Sequence, residues 1–259
     1  MSIGICCVPV SSLRKETAHR SEIVTQVRFG EYIEILNNPE NGWVSVSCCY
    51  DGYMGYMSES HFEALENLTI PLPENILVQN ITSQITYDGA PMHIPLASNL
   101  NLPQEFISKH NISYPDKNKT IHDAPIIESL IKELSNQYLN TTYLWGGRSI
   151  FGIDCSGFAQ SVFKFLNVPL LRDASLQATQ GTDVGFLQEV ICGDLAFFDN
   201  EEGKVTHVGI MLNPQEIIHA SGKVRIDSID SKGIINRDTG KRTHNLRLIK
   251  RYFTLDPNQ

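Results

Sequence analysis

No apolar run in this chain approaches the ~18 residues that a membrane-spanning helix needs, so membrane insertion is not expected. Basic charge is also scarce. Against 29 Asp and Glu stand 21 Lys and Arg, a net charge of −8, whereas nucleic-acid modules carry a basic face. Nucleic acid is therefore not expected as a partner. The six cysteines, at 6, 7, 48, 49, 155 and 192, are too few for a disulfide-stapled mini-fold and lack the CxxC or Cys/His spacing of a zinc site. No metal or organic cofactor is expected. No charged segment precedes MSIGICCVPV, and Arg14 is the first basic residue. A signal peptide is not expected and the cytoplasm is favoured, although a chain trimmed of its leader would look the same. Fixed-period repeats and low-complexity tracts are absent too.

What is present supports ordinary globular cores, with 41% hydrophobic residues over 259. Residues 1–65 read as a small barrel-like β-module built from ICCVPV, EIVTQV, EYIEIL, WVSVSCCY and GYMGYM, with turns at NNPENG and YDG. The vicinal pairs Cys6-Cys7 and Cys48-Cys49 lie in apolar surroundings and read as core filler. Residues 66–118, interrupted by six prolines, read as a second small β-module. The register changes in 119–259. There Ile126, Ile127, Leu130, Ile131 and Leu134 fall at helical spacing, with Asp123 as N-cap and Pro125 in the first turn. A second helix follows Cys155 and turns Phe158, Val162, Phe165 and Leu166 to one face. The β-patterned runs DLAFF, THVGIML, EIIHAS, KVRIDSI and LRLIKRYF come after. Helices first and strands afterwards make this an α+β domain.

The stretch GGRSIFGIDCSGF carries the chemistry. Gly146, Gly147 and Gly152 let the loop turn, Asp154 suits an N-cap, and Cys155 then opens a helix. At a helix N-terminus the unpaired N–H groups and the dipole favour thiolate and can receive a developing oxyanion. Downstream, His207 shares a strand face with Gly209 and Met211, and His219 lies on the next run. Neighbouring antiparallel strands would let His207 take the proton from sulfur and His219 orient its far nitrogen. Gly209 leaves room for a ligand or a neighbouring backbone. Two structural histidines and a packed cysteine would leave the same pattern. Cys192 lacks both the DCSG context and a helix start, and reads as packing.

Taken together, GGRSIFGIDCSGF, GDLAFF, THVGIML and IIHASGKVRID resemble the NlpC-type cell-wall peptidases, papain-like cysteine enzymes of bacteria, over about residues 124–253. The resemblance implies a papain-like catalytic domain with Cys155, His207 and His219 as its catalytic residues. The N-terminal part, with SSLRKETAHRSEIVTQVRFGEYIEIL and DGYMGY, resembles the bacterial SH3-like module of the branch that cleaves γ-D-glutamyl-diamino acid bonds. That branch implies binding roles for Tyr53 and Glu16 at the free N-terminus of the substrate, and for Tyr143, Asp154, Ser156 and Asp173 in the catalytic domain. Ala174 stands where the branch commonly has serine. The implied activity is hydrolysis of short peptidoglycan stem peptides, L-Ala-γ-D-Glu followed by a diamino acid, without a cofactor. Diaminopimelate and lysine are both open at the leaving position, as is the oligomeric state. Two rival readings stay beside it: a papain-like amidase or acyltransferase acting on another acyl group, and an inactive cell-wall-binding protein.

Overall fold

The computed structural model describes residues 2–65, 76–114 and 127–253. It divides into two compact units, one of Met1–Ile121 with Trp145–Ile150, the other of His122–Leu144 with Phe151–Gln259. Among the described residues no helix is long and apolar enough to cross a membrane.

In the first unit seven short strands form one antiparallel sheet: β1 (Ser2–Cys6), β2 (Val10–Arg14), β3 (Ile23–Arg28), β4 (Tyr32–Ile35), β5 (Trp43–Cys48), β6 (Met54–Ser58) and β7 (Phe62–Leu65), in the order β3-β2-β6-β5-β4-β1-β7. Period-2 burial builds its core from Cys6, Leu13, Val27, Ile33, Val44, Val46, Cys48 and Met57. Asn41 and Gly42, at φ 50° and 80°, make the tight turn into β5. Each vicinal cysteine pair is split by the pleat. Cys6 and Cys48 are buried in this core, Cys7 is half-buried and packs against the neighbouring core around Phe29, and Cys49 is exposed. Strand β2 has a serine-rich sequence without an apolar run, which is why its place in the sheet was not anticipated.

The second β-module expected over 66–118 takes another form. Its described part, 76–114, holds one hairpin, β8 (Thr82–Tyr87) and β9 (Ala90–Pro95), and one short helix, α1 (Gln104–Lys109). Their apolar side chains do not close a core of their own. Val78, Ile85, Ile94, Leu100, Leu102, Phe106 and Ile112 pack with Ile5 and Phe29 of the first sheet. The segment around β10 (Arg148–Ser149) belongs to this unit as well. Arg148 is buried and donates from Nη1 to Glu31 Oε2 (3.1 Å) and to the Gln26 carbonyl (2.8 Å). Arg28 donates to the same Glu31 carboxylate at 2.9 Å. One buried carboxylate thus bridges two guanidinium groups.

In the second unit, α2 (Ile127–Gln137) buries Leu130, Ile131 and Leu134, the face its spacing predicted. Asp123, Pro125 and Ile126, and the side chain of Ile127, lie outside the described residues. After β11 (Gly152–Ile153) comes α3 (Cys155–Phe163), buried along its whole length rather than on one face. It tightens into a 3-10 turn, so Phe165 and Leu166 fall beyond the α-helix. Next come α4 (Ala174–Gln177) and the strands β12 (Thr182–Asp183), β13 (Leu195–Asp199), β14 (Val205–Asn213), β15 (Glu216–Ser221), β16 (Lys223–Asp230), β17 (Gly233–Ile235) and β18 (Arg242–Arg251). The sheet order is β12-β18-β13-β14-β15-β16-β17, and β17 also pairs β18, which closes the sheet on itself. Gly233 permits that closure. At φ 133° it brings its backbone so near β18 that a Cβ would sit 1.9 Å from the His244 carbonyl. Helix α3 packs against β14 and β15. The α+β reading holds.

Glu31→Ala should leave Arg28 and Arg148 buried without their shared counter-charge and destabilise the first unit by about 3–5 kcal/mol. Urea denaturation of the full chain, followed by tryptophan fluorescence, measures this; a loss below about 1 kcal/mol would mean solvent already screens the cluster.

Candidate active site

Asp154 caps α3 as its sequence position suggested, accepting from the Gly157 N–H at 2.7 Å. The cap puts Cys155 on the first turn, buried to 6% exposure. Helix α3 packs on β14, and the backbone of Val208 on that strand and of Ser156 acts on the sulfur. The expected thiolate does not follow. Burial, reinforced by the Asp154 carboxylate, pushes the Cys155 thiol up to about 12, against the opposing pull of the Val208 N–H, Arg172 and the Ser156 N–H. His207 moves the opposite way, well below the usual imidazole value, because it is buried and faces His219 and His244. Desolvation disfavours both charges, so burial favours a neutral thiol and a neutral imidazole.

The two histidines meet as the strand pattern implied. Gly209 lies opposite His219 in the β14–β15 register, so His207 and His219 share a face, and His207 Nε2 stands 2.8 Å from His219 Nδ1. The room beside Gly209 is taken up by the side chains of Ile217 and His219. A Cβ there would lie 2.7 Å from Ile217 Cδ1 and 2.9 Å from His219 Cβ.

The chain of contacts continues to a residue that sequence reasoning missed. His219 Nε2 is 3.0 Å from Asp227 Oδ2 on β16. Although burial pushes its carboxyl up, Asp227 is held well below the usual carboxylate range by hydrogen bonds from His219, Arg225 and the Arg237 N–H. An ionised carboxylate only accepts, and with both imidazoles neutral this sets the order of the protons behind it. His219 must carry its proton on Nε2, leaving Nδ1 as acceptor. His207 must then donate from Nε2, which leaves the lone pair of Nδ1 available as a base. The alternation of KVRID places Arg225 and Asp227 on one face, a signal that was present but needed the β15–β16 register to be used.

A third imidazole joins from β18. His244 stacks on His207 with ring centroids 4.2 Å apart and lies edge-on to His219 at 5.6 Å. One nitrogen from each of His207, His219 and His244 falls within 4.8 Å of the others. Sequence spacing showed no such cluster because His244 arrives on β18, which reaches β14 across β13.

The remaining expected residues separate by unit. Tyr143 is half-buried, donates its N–H to the Gly222 carbonyl (2.9 Å), and has its phenol pushed up by burial and by the nearby Cys155 and Asp154. Asp154 and Ser156 are both engaged by Arg172, which sequence reasoning passed over. It is buried, donates from Nη1 to Asp154 Oδ1 (3.0 Å) and Ser156 Oγ (2.7 Å), and completes an ion pair with Asp154. Asp173 is the residue before α4, and its carbonyl accepts from Leu176 and Gln177. Ala174 is buried at the start of that helix. Cys192 is buried, with its sulfur 3.9 Å from the Glu128 carbonyl. Tyr53 and Glu16 belong to the first unit. Tyr53 follows the Asp51–Gly52 turn and its N–H donates to Asp51 Oδ1 (3.0 Å), whereas Glu16 is exposed and its N–H donates to Ser21 Oγ (3.0 Å).

Residues 140–243 match the NlpC/P60 family, and residues 13–62 match the bacterial dipeptidyl-peptidase Sh3 domain. The chain is 31% identical over 221 residues to the gamma-D-glutamyl-L-lysine dipeptidyl-peptidase of Bacillus subtilis, covering 76% of this chain and 72% of that protein. It is 26% identical over 257 residues to a Bacillus cereus protein of the same name, covering 86% and 76%. The crystal structure of an NlpC/P60 family protein from Bacillus cereus shares the fold, with a TM-score of 0.74 at 19% identity over 97% of this chain and 99% of that one.

Two measurements test the proton chain. Asp227→Asn should lower kcat by about 10²-fold, the lower end of what a positioned base contributes, with little change in KM; a wild-type kcat would remove Asp227 from the chain. The rate of Cys155 alkylation, followed by site-resolved mass spectrometry, should climb about tenfold per pH unit well past the ordinary thiol value of about 8.5. A plateau already present at neutral pH would instead demonstrate a pre-formed thiolate.

Proposed function

The chain belongs to the NlpC/P60 cysteine peptidase family, and from that premise we propose that it hydrolyses the γ-D-glutamyl-diamino acid bond of short peptidoglycan stem peptides. The observation that carries the proposal is the unbroken chain from His207 through His219 to ionised Asp227, beside a cysteine at a helix start. Cys155 and His207 rest neutral, so proton transfer accompanies attack. His207 Nδ1 takes the thiol proton as sulfur bonds to the γ-carbonyl carbon, and the backbone at the start of α3 receives the oxyanion. His207 returns the proton to the departing amine of the diamino acid. Water, deprotonated by the same nitrogen, then adds to the thioester and releases L-Ala-D-Glu and the free thiol.

A further part of the proposal concerns selectivity. The roles implied by resemblance for Glu16 and Tyr53 require a free, charged N-terminal amine, which a stem peptide still joined to its sugar lacks. That preference suits the recycling of wall fragments and supports a cytoplasmic site of action. Two of the relatives are named for L-lysine, which supports lysine as the first diamino acid to test. The intact Cys155–His207–His219–Asp227 set speaks against an inactive wall-binding protein.

Mass spectrometry after incubation with L-Ala-γ-D-Glu-L-Lys, its diaminopimelate counterpart and the matching sugar-linked muropeptide decides both parts. The free tripeptides should be cleaved, the muropeptide largely spared, and Cys155→Ala inactive on all three. Comparable kcat/KM on free and sugar-linked substrates would sink the selectivity. Turnover by Cys155→Ala would sink the mechanism.

A further inference from the structure

We propose that His207, His219 and His244 form an inhibitory site for a divalent transition-metal ion, with zinc the best match to the donor set. The inference rests on the reading of His207 as the base and goes on to its regulation. Three imidazole nitrogens within 4.8 Å of one another approach the roughly 3.3 Å separation of donors around a tetrahedral zinc at about 2.0 Å. The closest pair, His207 Nε2 and His219 Nδ1, is already at 2.8 Å and need only open slightly. His244 has further to move, because its ring stacks on His207 at 4.2 Å and 24° and must turn out of that stack to aim a nitrogen at a shared ion; its place on β18 is half-buried. Its Nδ1 is occupied by Thr243 Oγ1 at 2.9 Å, which leaves Nε2 as the donor.

The second observation is the carboxylate behind the cluster. Asp227 holds His219 through Nε2 and so presents Nδ1 as the ligating atom. A histidine whose far nitrogen donates to a carboxylate is the usual arrangement around protein-bound metals, because the carboxylate fixes the ring and raises its basicity. The device that sets the tautomer for catalysis also prepares a ligand. Imidazole donors favour zinc, copper and nickel over magnesium and calcium, which prefer oxygen.

Inhibition follows from proton accounting. In the working site the single proton of His207 is on Nε2, pointing to His219, and Nδ1 is the base. A metal between Nε2 of His207 and Nδ1 of His219 takes the place of that bridging proton, which moves to Nδ1. No proton is lost, but the nitrogen that should accept from the Cys155 thiol is now occupied. The metal need not touch sulfur to stop the reaction.

The test separates binding from turnover. Cobalt(II) is titrated into full-length, metal-free Cys155→Ala protein and into the same protein carrying His244→Phe, which keeps an aromatic ring stacked on His207 but offers no nitrogen. Saturable visible absorption of a nitrogen-ligated cobalt site is expected in the first, and an affinity lower by at least about 10-fold in the second. In parallel, zinc should inhibit the wild type with one-site stoichiometry, EDTA should restore full rate, and EDTA alone should leave the metal-free enzyme unaffected. Equal cobalt affinity in the two proteins, or no saturable spectrum, overturns the site. Cobalt binding without zinc inhibition overturns its inhibitory role. A wild-type chain inactive on every peptide would sink the peptidase reading, while the cobalt spectrum would still decide the metal site.

Discussion

A single buried carboxylate governs the chemistry of this protein. Asp227 can only accept hydrogen bonds, and it is kept ionised by Arg225, the Arg237 N–H and His219. With both imidazoles neutral, that one charge sets their proton positions in order, ending with Nδ1 of His207 unprotonated. Ring stacking or strand geometry alone would leave either nitrogen of His207 protonated. The carboxylate removes that freedom without itself entering the reaction.

The state of the nucleophile is set by burial rather than by the helix dipole. The start of α3 supplies hydrogen bonds to sulfur, and Arg172 adds positive charge, yet Asp154 beside it and near-complete enclosure outweigh both. The same enclosure keeps His207 neutral. Charge separation would place two ions in a dry site, so the structure favours attack coupled to proton transfer. Arg172 has a structural part in this. By holding both Asp154 and Ser156, it fixes the residues on either side of Cys155.

Elsewhere the same economy of charge recurs. In the first unit Glu31 stands between Arg28 and Arg148, three fully or nearly buried groups that are tolerable only together. The apolar residues of 76–114 likewise have no separate core to form and complete one begun by Ile5 and Phe29. A hairpin and one short helix have too little apolar surface to fold apart, which is why the described part of 66–118 packs on the first sheet.

The α+β division, the helix start at Cys155, its Asp154 cap and the common face of His207 and Gly209 were legible in the sequence because each depends on neighbours within a few residues. Period-2 alternation and capping chemistry are local, and DCSG and VTHVGIML state them directly. The partners beyond His219 depended on register. KVRID shows that Arg225 and Asp227 share a face, but only the pairing of β16 with β15 turns that face toward His219. His244 needed more still, since it lies on β18 and meets His207 across β13, a strand order that no local pattern states. The neutral thiol could not be read from a helix N-terminus, because desolvation depends on everything packed around the sulfur. The sequence by itself determined which groups could react; the tertiary structure decided their protonation, because burial and long-range strand pairing are properties of the assembled core.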